Sequence, residues 1–223
     1  MFFILVNFYI GSCLASHAAV IFERRHHENF IFGRSHCNNC HNELSLLDEL
    51  PLISYLGLKG KCRYCQSEIP YELFLIEIIG GLAFINFDFS EVVGIKDAIF
   101  LFFFLVIAIF DFYEQEFPTI LLLPLIGIAS SYYPFNFTKF EWFELIVVSA
   151  VLLLQVLTKK LGSGDLIIYL ALAFNFSPTS ANLVFLIASL LLLLHYLLKA
   201  NKSKRAFAFV PYLFVSLVIL QTL

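Results

Sequence analysis

Long apolar runs broken by short polar stretches set the pattern of this chain. Read at helical length, they predict eight membrane-crossing helices over residues 1–22, 70–87, 92–110, 117–133, 143–158, 166–176, 181–198 and 207–223. The sixth run reaches a useful length only if Asp165 and the glycines before it form its first turn, and residues 175–178 read as the turn that ends it. One polar insert, residues 23–69, interrupts the pattern. The fold class expected is therefore all-α: a polytopic membrane protein of about eight transmembrane helices with a cytosolic Cys-rich loop. Its parts are a first span (1–22), the loop (23–69) and a transmembrane core (70–223). The first run lacks a basic leader and a small-residue cleavage site and is followed by Arg24 and Arg25, so it reads as a retained span. No internal repeat or low-complexity linker is evident.

Composition agrees with a membrane setting. With 60% hydrophobic residues, 27 phenylalanines and 14% charged residues, the chain carries more apolar surface than one soluble core can hide. A net charge of −3 and the lack of a basic tract interleaved with aromatics argue against a nucleic-acid partner. Twelve of the 14 Lys and Arg fall in the segments after the first, fifth and seventh spans. By the positive-inside rule those segments are cytosolic and both termini face out.

Two aspartates fall where predicted spans meet that cytosolic side. Asp111 ends a span running inward and Asp165, in Gly162-Ser163-Gly164-Asp165, begins one running outward. Ionisable groups at a membrane edge are costly, so a pair at one depth points to acid/base chemistry. Each alone has a plainer reading, Asp111 as an interfacial helix end and Asp165 as the N-cap after a tight turn. Gly162 and Gly164 would leave backbone that a substrate strand can approach. Glu77 sits among apolar residues in the second span and reads as a supporting polar residue with a partner inside the helix bundle. Lys96, Asp97, His17 and His195 read as boundary or packed residues.

The insert holds Cys37-Asn38-Asn39-Cys40 and Cys62-Arg63-Tyr64-Cys65, two CxxC pairs with 21 residues between them. Four thiolates on two tight turns can close a tetrahedral Zn site, one residue beyond the usual spacing, and a polar loop of this length needs such a staple. Disulfides are the alternative; the cytosolic placement favours reduced thiols and structural Zn. His36 and His41 flank the first pair as ordinary loop histidines, and Cys13 reads as a small apolar residue.

Several of these segments together resemble the prepilin leader peptidases, polytopic aspartyl proteases of the GxGD type. The resemblance is carried by Arg34 to Cys40, Leu52-Ile53-Ser54-Tyr55-Leu56, Lys59 to Cys65, Glu77 in its span, Asp111 followed by Pro118, Gly162 to Asp165, and more faintly Phe209-Val210-Pro211-Tyr212-Leu213. It implies an endopeptidase with Asp111 and Asp165 as catalytic residues and Gly162 and Gly164 in the active-site loop. The substrates implied are type IV pilin-like precursors, cut after a glycine where a basic leader meets an apolar helix at the cytosolic face of a bacterial membrane. Many members then methylate the new amine with S-adenosylmethionine, although no Gly-rich Rossmann-type motif is visible here. Phe117 where the family usually has Ile, and Ile167 where Lys is common, suggest a divergent branch of the kind serving competence or pilus systems. Two other classes are weighed against it. A proton-coupled transporter would want carboxylates at the midplane between repeated halves, and a thiol-disulfide membrane protein would want its CxxC pairs on the oxidising face.

Overall fold

A computed structural model describes residues 2–25, 34–133, 135–198 and 207–222. The bases Lys199, Lys202, Lys204 and Arg205, used above for orientation, lie outside the described residues. The helices are α1 (Phe2–Glu23), α2 (Ile53–Gly57), α3 (Tyr71–Ala83), α4 (Val92–Glu114), α5 (Leu122–Ser130, entered through a 3-10 turn at Thr119–Leu121), α6 (Lys139–Leu157), α7 (Ser163–Asn175), α8 (Pro178–Leu198) and α9 (Val210–Thr222). Among the described residues there is no strand, only two isolated bridges. Each apolar run is helical, and the protein is an all-α membrane protein.

Among the described residues four helices, α1, α4, α6 and α8, are long and apolar enough to cross a bilayer. The others are shorter: α3, α7 and α9 have 13 residues each. At 1.5 Å per residue that is about 20 Å, less than the ~30 Å apolar core of a bilayer, a mismatch for flanking turns or local thinning to take up. Phe140, Ile146 and Leu154 of α6 and Leu186, Leu190 and Leu197 of α8 are exposed, which suits lipid rather than water.

Local chemistry sets the helix ends. α6 starts at Lys139, ahead of the apolar run, because Thr138 and Glu141 form a capping box: Glu141 N–H donates to Thr138 Oγ1 (3.2 Å) and Thr138 N–H donates to Glu141 Oε2 (2.8 Å). α4 runs on to Glu114 and stops at Gln115, a left-handed residue (φ 59°) whose N–H donates to the Asp111 carbonyl at 2.9 Å.

The chain forms two packing units, one reaching Phe87 and the other running from Asp88 to Gln221. In the first, α1 lies against α3 through small residues: a Cβ added at Gly11 would come within 2.5 Å of the Gly80 carbonyl oxygen, and one at Gly81 within 2.6 Å of the Phe8 ring. Backbones this close are the usual basis of helix pairing in lipid. Packing thus groups α3 with the first span and the loop, whereas hydropathy separates segments only by polarity.

In the second unit α4 is central, with Phe100, Leu101, Phe104 and Ile107 fully buried. Phe104 meets Phe214 of α9 edge-on at 5.5 Å, and Phe100 meets Phe176 at 5.8 Å. Asp97 is more than the boundary residue its position suggests. Its Oδ1 accepts from the Tyr132 hydroxyl (2.8 Å) and the Asn175 amide (3.0 Å), so one carboxylate ties α4 to α7 and to the turn after α5. Glu144 of α6 does the same for α8, accepting from Thr179 (3.1 Å) and Asn182 (3.3 Å).

The loop in the first unit has its own anchor. Asp48, 8% exposed, receives two Nε bonds (3.1 Å) and one Nη2 bond (2.7 Å) from Arg63. The Arg63 hydrogen bonds, with help from Ser45, hold the Asp48 carboxyl below the ordinary carboxylate range. A depressed pKa gives stability that is complete above the unfolded value and is lost as pH falls through the folded one. Asp48→Asn should therefore lower loop stability by about 1–2 kcal/mol at pH 7, a figure reduced for the half-exposed guanidinium, and by progressively less as pH falls below the ordinary carboxylate range and through the depressed folded value. Limited proteolysis of the intact protein in detergent across that pH range measures the difference.

Candidate active site and metal centre

Asp111 occupies the last turn of α4, and its side chain is 7% exposed. A buried carboxylate there needs donors, and α9 supplies them: Val210 N–H donates to Asp111 Oδ2 at 2.9 Å, and the Phe209 N–H adds a second bond. The first N–H groups of a helix have no partner within it, and they point where an anion can sit. The faint Phe209-Val210-Pro211 motif therefore acts through backbone, with Pro211 fitting the first turn because its missing N–H is not needed there.

Asp165 is the third residue of α7. The N-cap is Gly162 (φ −71°, ψ 145°), not Asp165, whose own N–H donates back to the Gly162 carbonyl at 3.2 Å. Asp165 is half-buried, and it is near enough to Asp111 for the two charges to interact. Carboxylates with 53 residues between them, one in the last turn of α4 and one in the first turn of α7, thus feel each other's charge.

The two glycines differ in what surrounds them. A Cβ at Gly162 would sit 3.3 Å from Asp165 Oδ2, so any side chain there crowds the carboxylate. A Cβ at Gly164 would lie 2.5 Å from the tip of the Phe117 ring. The space beside Gly164 is filled by Phe117, and Gly162 is the exposed one.

The four loop cysteines come together. Cys37, Cys40, Cys62 and Cys65 are free thiols, and their sulfurs all lie within 4.8 Å of one another, with Cys37 and Cys65 3.8 Å apart. This set can hold a metal ion; His36 and His41 are not part of it. Two equivalent knuckles build it. Cys37 N–H donates to Asn42 O and Cys62 N–H to Ser67 O; His41 N–H donates to Cys37 O and Gln66 N–H to Cys62 O; Leu44 N–H donates to Ser35 O and Ile69 N–H to Gly60 O. His41 (φ 55°) and Gln66 (φ 59°) share the same left-handed conformation, and the bridges His36–Glu43 and Lys61–Glu68 match as well. The loop is an internal repeat at an offset of 25 residues, which the sequence hides because outside the cysteines little but Glu43 and Glu68 is identical.

Polar neighbours tune the sulfurs. The Ser67 hydroxyl, 3.1 Å from Cys65 Sγ, then the Ser67 N–H and the Asn39 amide, push the Cys65 thiol down to about 5. Cys40 is pushed up to about 11: the Asn42 N–H favours its thiolate, but burial and the neighbouring sulfurs outweigh that. Four thiols this close do not all ionise without a cation among them.

Glu77 finds its partners in the same unit. Its Oε2 accepts the Leu52 N–H at 2.8 Å, and the Ser16 hydroxyl supplies another bond. Leu52 has φ 62° and ψ −47°, and across it Ile53 N–H donates to Pro51 O at 2.6 Å, a γ-turn of the strained hand. Glu77 holds that turn, and with it the start of α2, against α3.

Gly164→Ala should drive the first turn of α7 into Phe117 and displace Asp165, whereas Gly164→Ala combined with Phe117→Ala restores the room. The single variant should lower the melting temperature of the protein in detergent by about 5 °C, and the pair should recover most of it, a coupling read from a double-mutant cycle.

The chain was compared with known proteins. The family description "Bacterial Peptidase A24 N-terminal domain" matches residues 9–89. The "Prepilin leader peptidase/N-methyltransferase" of Vibrio cholerae serotype O1 is 27% identical over 194 residues, 80% of this chain and 76% of that protein. The "Type 4 prepilin-like proteins leader peptide-processing enzyme" of Escherichia coli O78:H11 is 44% identical over 52 residues, 23% of this chain and 19% of that one. A "Prepilin leader peptidase/N-methyltransferase" of Dickeya chrysanthemi is 30% identical over 95 residues, 41% and 34% of the two chains. No solved structure matches. With a matching N-terminal domain over residues 9–89 and relatives of one kind along most of its length, the chain is similar to the type IV prepilin peptidases.

Proposed function

We propose that this protein is an aspartyl endopeptidase that removes the basic leader from type IV pilin-like precursors at the cytosolic face of a bacterial membrane, with Asp111 and Asp165 as its catalytic pair. The observation that supports this reading is the electrostatic interaction of two carboxylates from distant helix ends, one of them held by the Phe209 and Val210 N–H groups. The names of the relatives supply the substrate class.

Two carboxylates in one site hold one proton between them. The ionised member takes a proton from water as the water attacks the scissile carbonyl carbon, while the neutral member donates to the carbonyl oxygen. The tetrahedral adduct then collapses, and the departing nitrogen takes a proton from the pair. The Phe209 and Val210 donors keep Asp111 aimed throughout, and Gly162 leaves the approach to Asp165 open. The Cys loop and both aspartates face the cytosol in this reading and both termini lie outside, so a leader made in the cytosol reaches the pair where its apolar helix enters the bilayer.

The four cysteines are assigned to one structural Zn. A tetrahedron with Zn–S bonds of about 2.3 Å has S···S edges of about 3.8 Å, which agrees with the Cys37–Cys65 separation of 3.8 Å. The reading also includes N-methylation of the freed amine, for which S-adenosylmethionine supplies the methyl group.

Asp111→Asn and Asp165→Asn should each lower cleavage of a synthetic prepilin by about three orders of magnitude or more, and the double variant should be no worse. Substantial cleavage by either single variant would remove that residue from the mechanism. Purified protein should hold about one Zn per chain by elemental analysis, and serine at any of the four cysteines should release it while reducing cleavage less than the aspartate changes do. A fully active preparation without metal would sink the zinc assignment.

A further inference from the structure

Inside the second unit three aromatic rings form a row. Asp165 and Tyr169 stand four residues apart on α7, so they share one face of it, a turn apart. Tyr169 is fully buried, and its ring meets Phe185 of α8 edge-on at 5.2 Å and 86°. Phe185, 9% exposed, meets the Phe209 ring at 5.7 Å and 76°. Phe209 in turn gives its N–H to Asp111. The row therefore begins one turn from one carboxylate and ends on a residue that holds the other.

Both ends of the row are pinned by hydrogen bonds. The Tyr169 hydroxyl donates to Asn182 Oδ1 at 2.8 Å, and the Asn182 amide and the Thr179 hydroxyl donate to Glu144 of α6 at 3.3 and 3.1 Å. A buried hydroxyl is costly without an acceptor, so this bond fixes the ring as well as satisfying the oxygen. At the other end the Phe209 carbonyl accepts from the Tyr212 and Leu213 N–H groups at 3.1 and 3.2 Å, the first turn of α9. The Phe209 ring and N–H hang on one Cα, so a displaced ring turns the N–H away from Asp111. Close packing leaves no room for one ring of such a row to move without its neighbours.

We infer that Tyr169 and Phe185 are positioning residues of the peptidase, and that the Tyr169–Phe185–Phe209 row sets the spacing between the Asp165 and Asp111 carboxylates. The inference rests on the proposed function and extends it to residues that carry no acid or base of the reaction. Both side chains are buried, so a substrate that approaches past the exposed Gly162 does not reach them. They act through the backbone of α7 on one side and through the Phe209 N–H on the other. Loss of the row therefore slows the chemical step, where small misplacements are costly, and leaves substrate binding alone.

The test is steady-state cleavage of a synthetic prepilin by the whole protein in detergent, with kcat and KM read separately and the melting temperature measured beside them. Phe185→Leu and Tyr169→Leu should each lower kcat by about tenfold or more and leave KM within about twofold of the wild type. Tyr169→Phe, which keeps the ring and gives up only the Asn182 bond, should hold kcat within about threefold. Leu152→Ala on α6, a residue 8% exposed, is the control: it should lower the melting temperature comparably without the loss in kcat. Should Phe185→Leu not fold, Phe185→Met, which fills the space with a flexible chain, takes its place with the same expectation. Wild-type kcat in both leucine variants, a rise in KM instead of a fall in kcat, or an equal fall in Leu152→Ala would overturn the positioning role and leave the peptidase reading intact. A wild type that does not cleave prepilin would remove the peptidase reading, and this inference with it.

Discussion

A carboxylate in the last turn of a buried apolar helix has to find donors, and much of the second unit is arranged so that Asp111 finds them. α9 is brought against α4 by Phe214 and Phe104, and that packing presents the Phe209 and Val210 N–H groups to Asp111. α8 joins through Phe185, which meets both Phe209 (5.7 Å) and Tyr169 of α7 (5.2 Å). The aromatic contacts along these helices therefore set the direction in which one backbone segment points. At the far end of α4, Asp97 makes the complementary tie to α7, so the helix that carries one aspartate is held to the helix that carries the other by a second polar link.

The first unit meets the same constraint with different means. α1 and α3 pair by close backbone approach at Gly11 and Gly80, with the Phe8 ring seated against Gly81. The polar loop between them has few apolar contacts of its own. Cysteine knuckles, the Arg63–Asp48 pair and the Glu77 bond to Leu52 stand in for a core.

Much of this was legible in the sequence. The helices follow from the apolar runs, and the sulfur cluster follows from the CxxC spacing, because both depend on local pattern. The aspartates could be paired by depth along their spans. What could not be read was long-range: that the donors to Asp111 are backbone groups 99 residues away, which leave no mark in residue type. Asp97 looked like a boundary residue because its partners, Tyr132 and Asn175, are far off in the chain. The bulk of Phe117 accounts for Gly164 only once the two are seen in contact. The repeat within the loop escaped notice because it is a repeat of hydrogen bonds and of two left-handed residues, His41 and Gln66, rather than of letters.

That repeat bears on how the loop assembles. Each knuckle brings two sulfurs, and neither alone offers an ion more than half a coordination shell. A cation that binds must recruit both halves in one event, so the loop orders as a single cooperative step governed by ion supply. The halves are alike in backbone but not in their ties, for the second carries Arg63 where the first has Asn38.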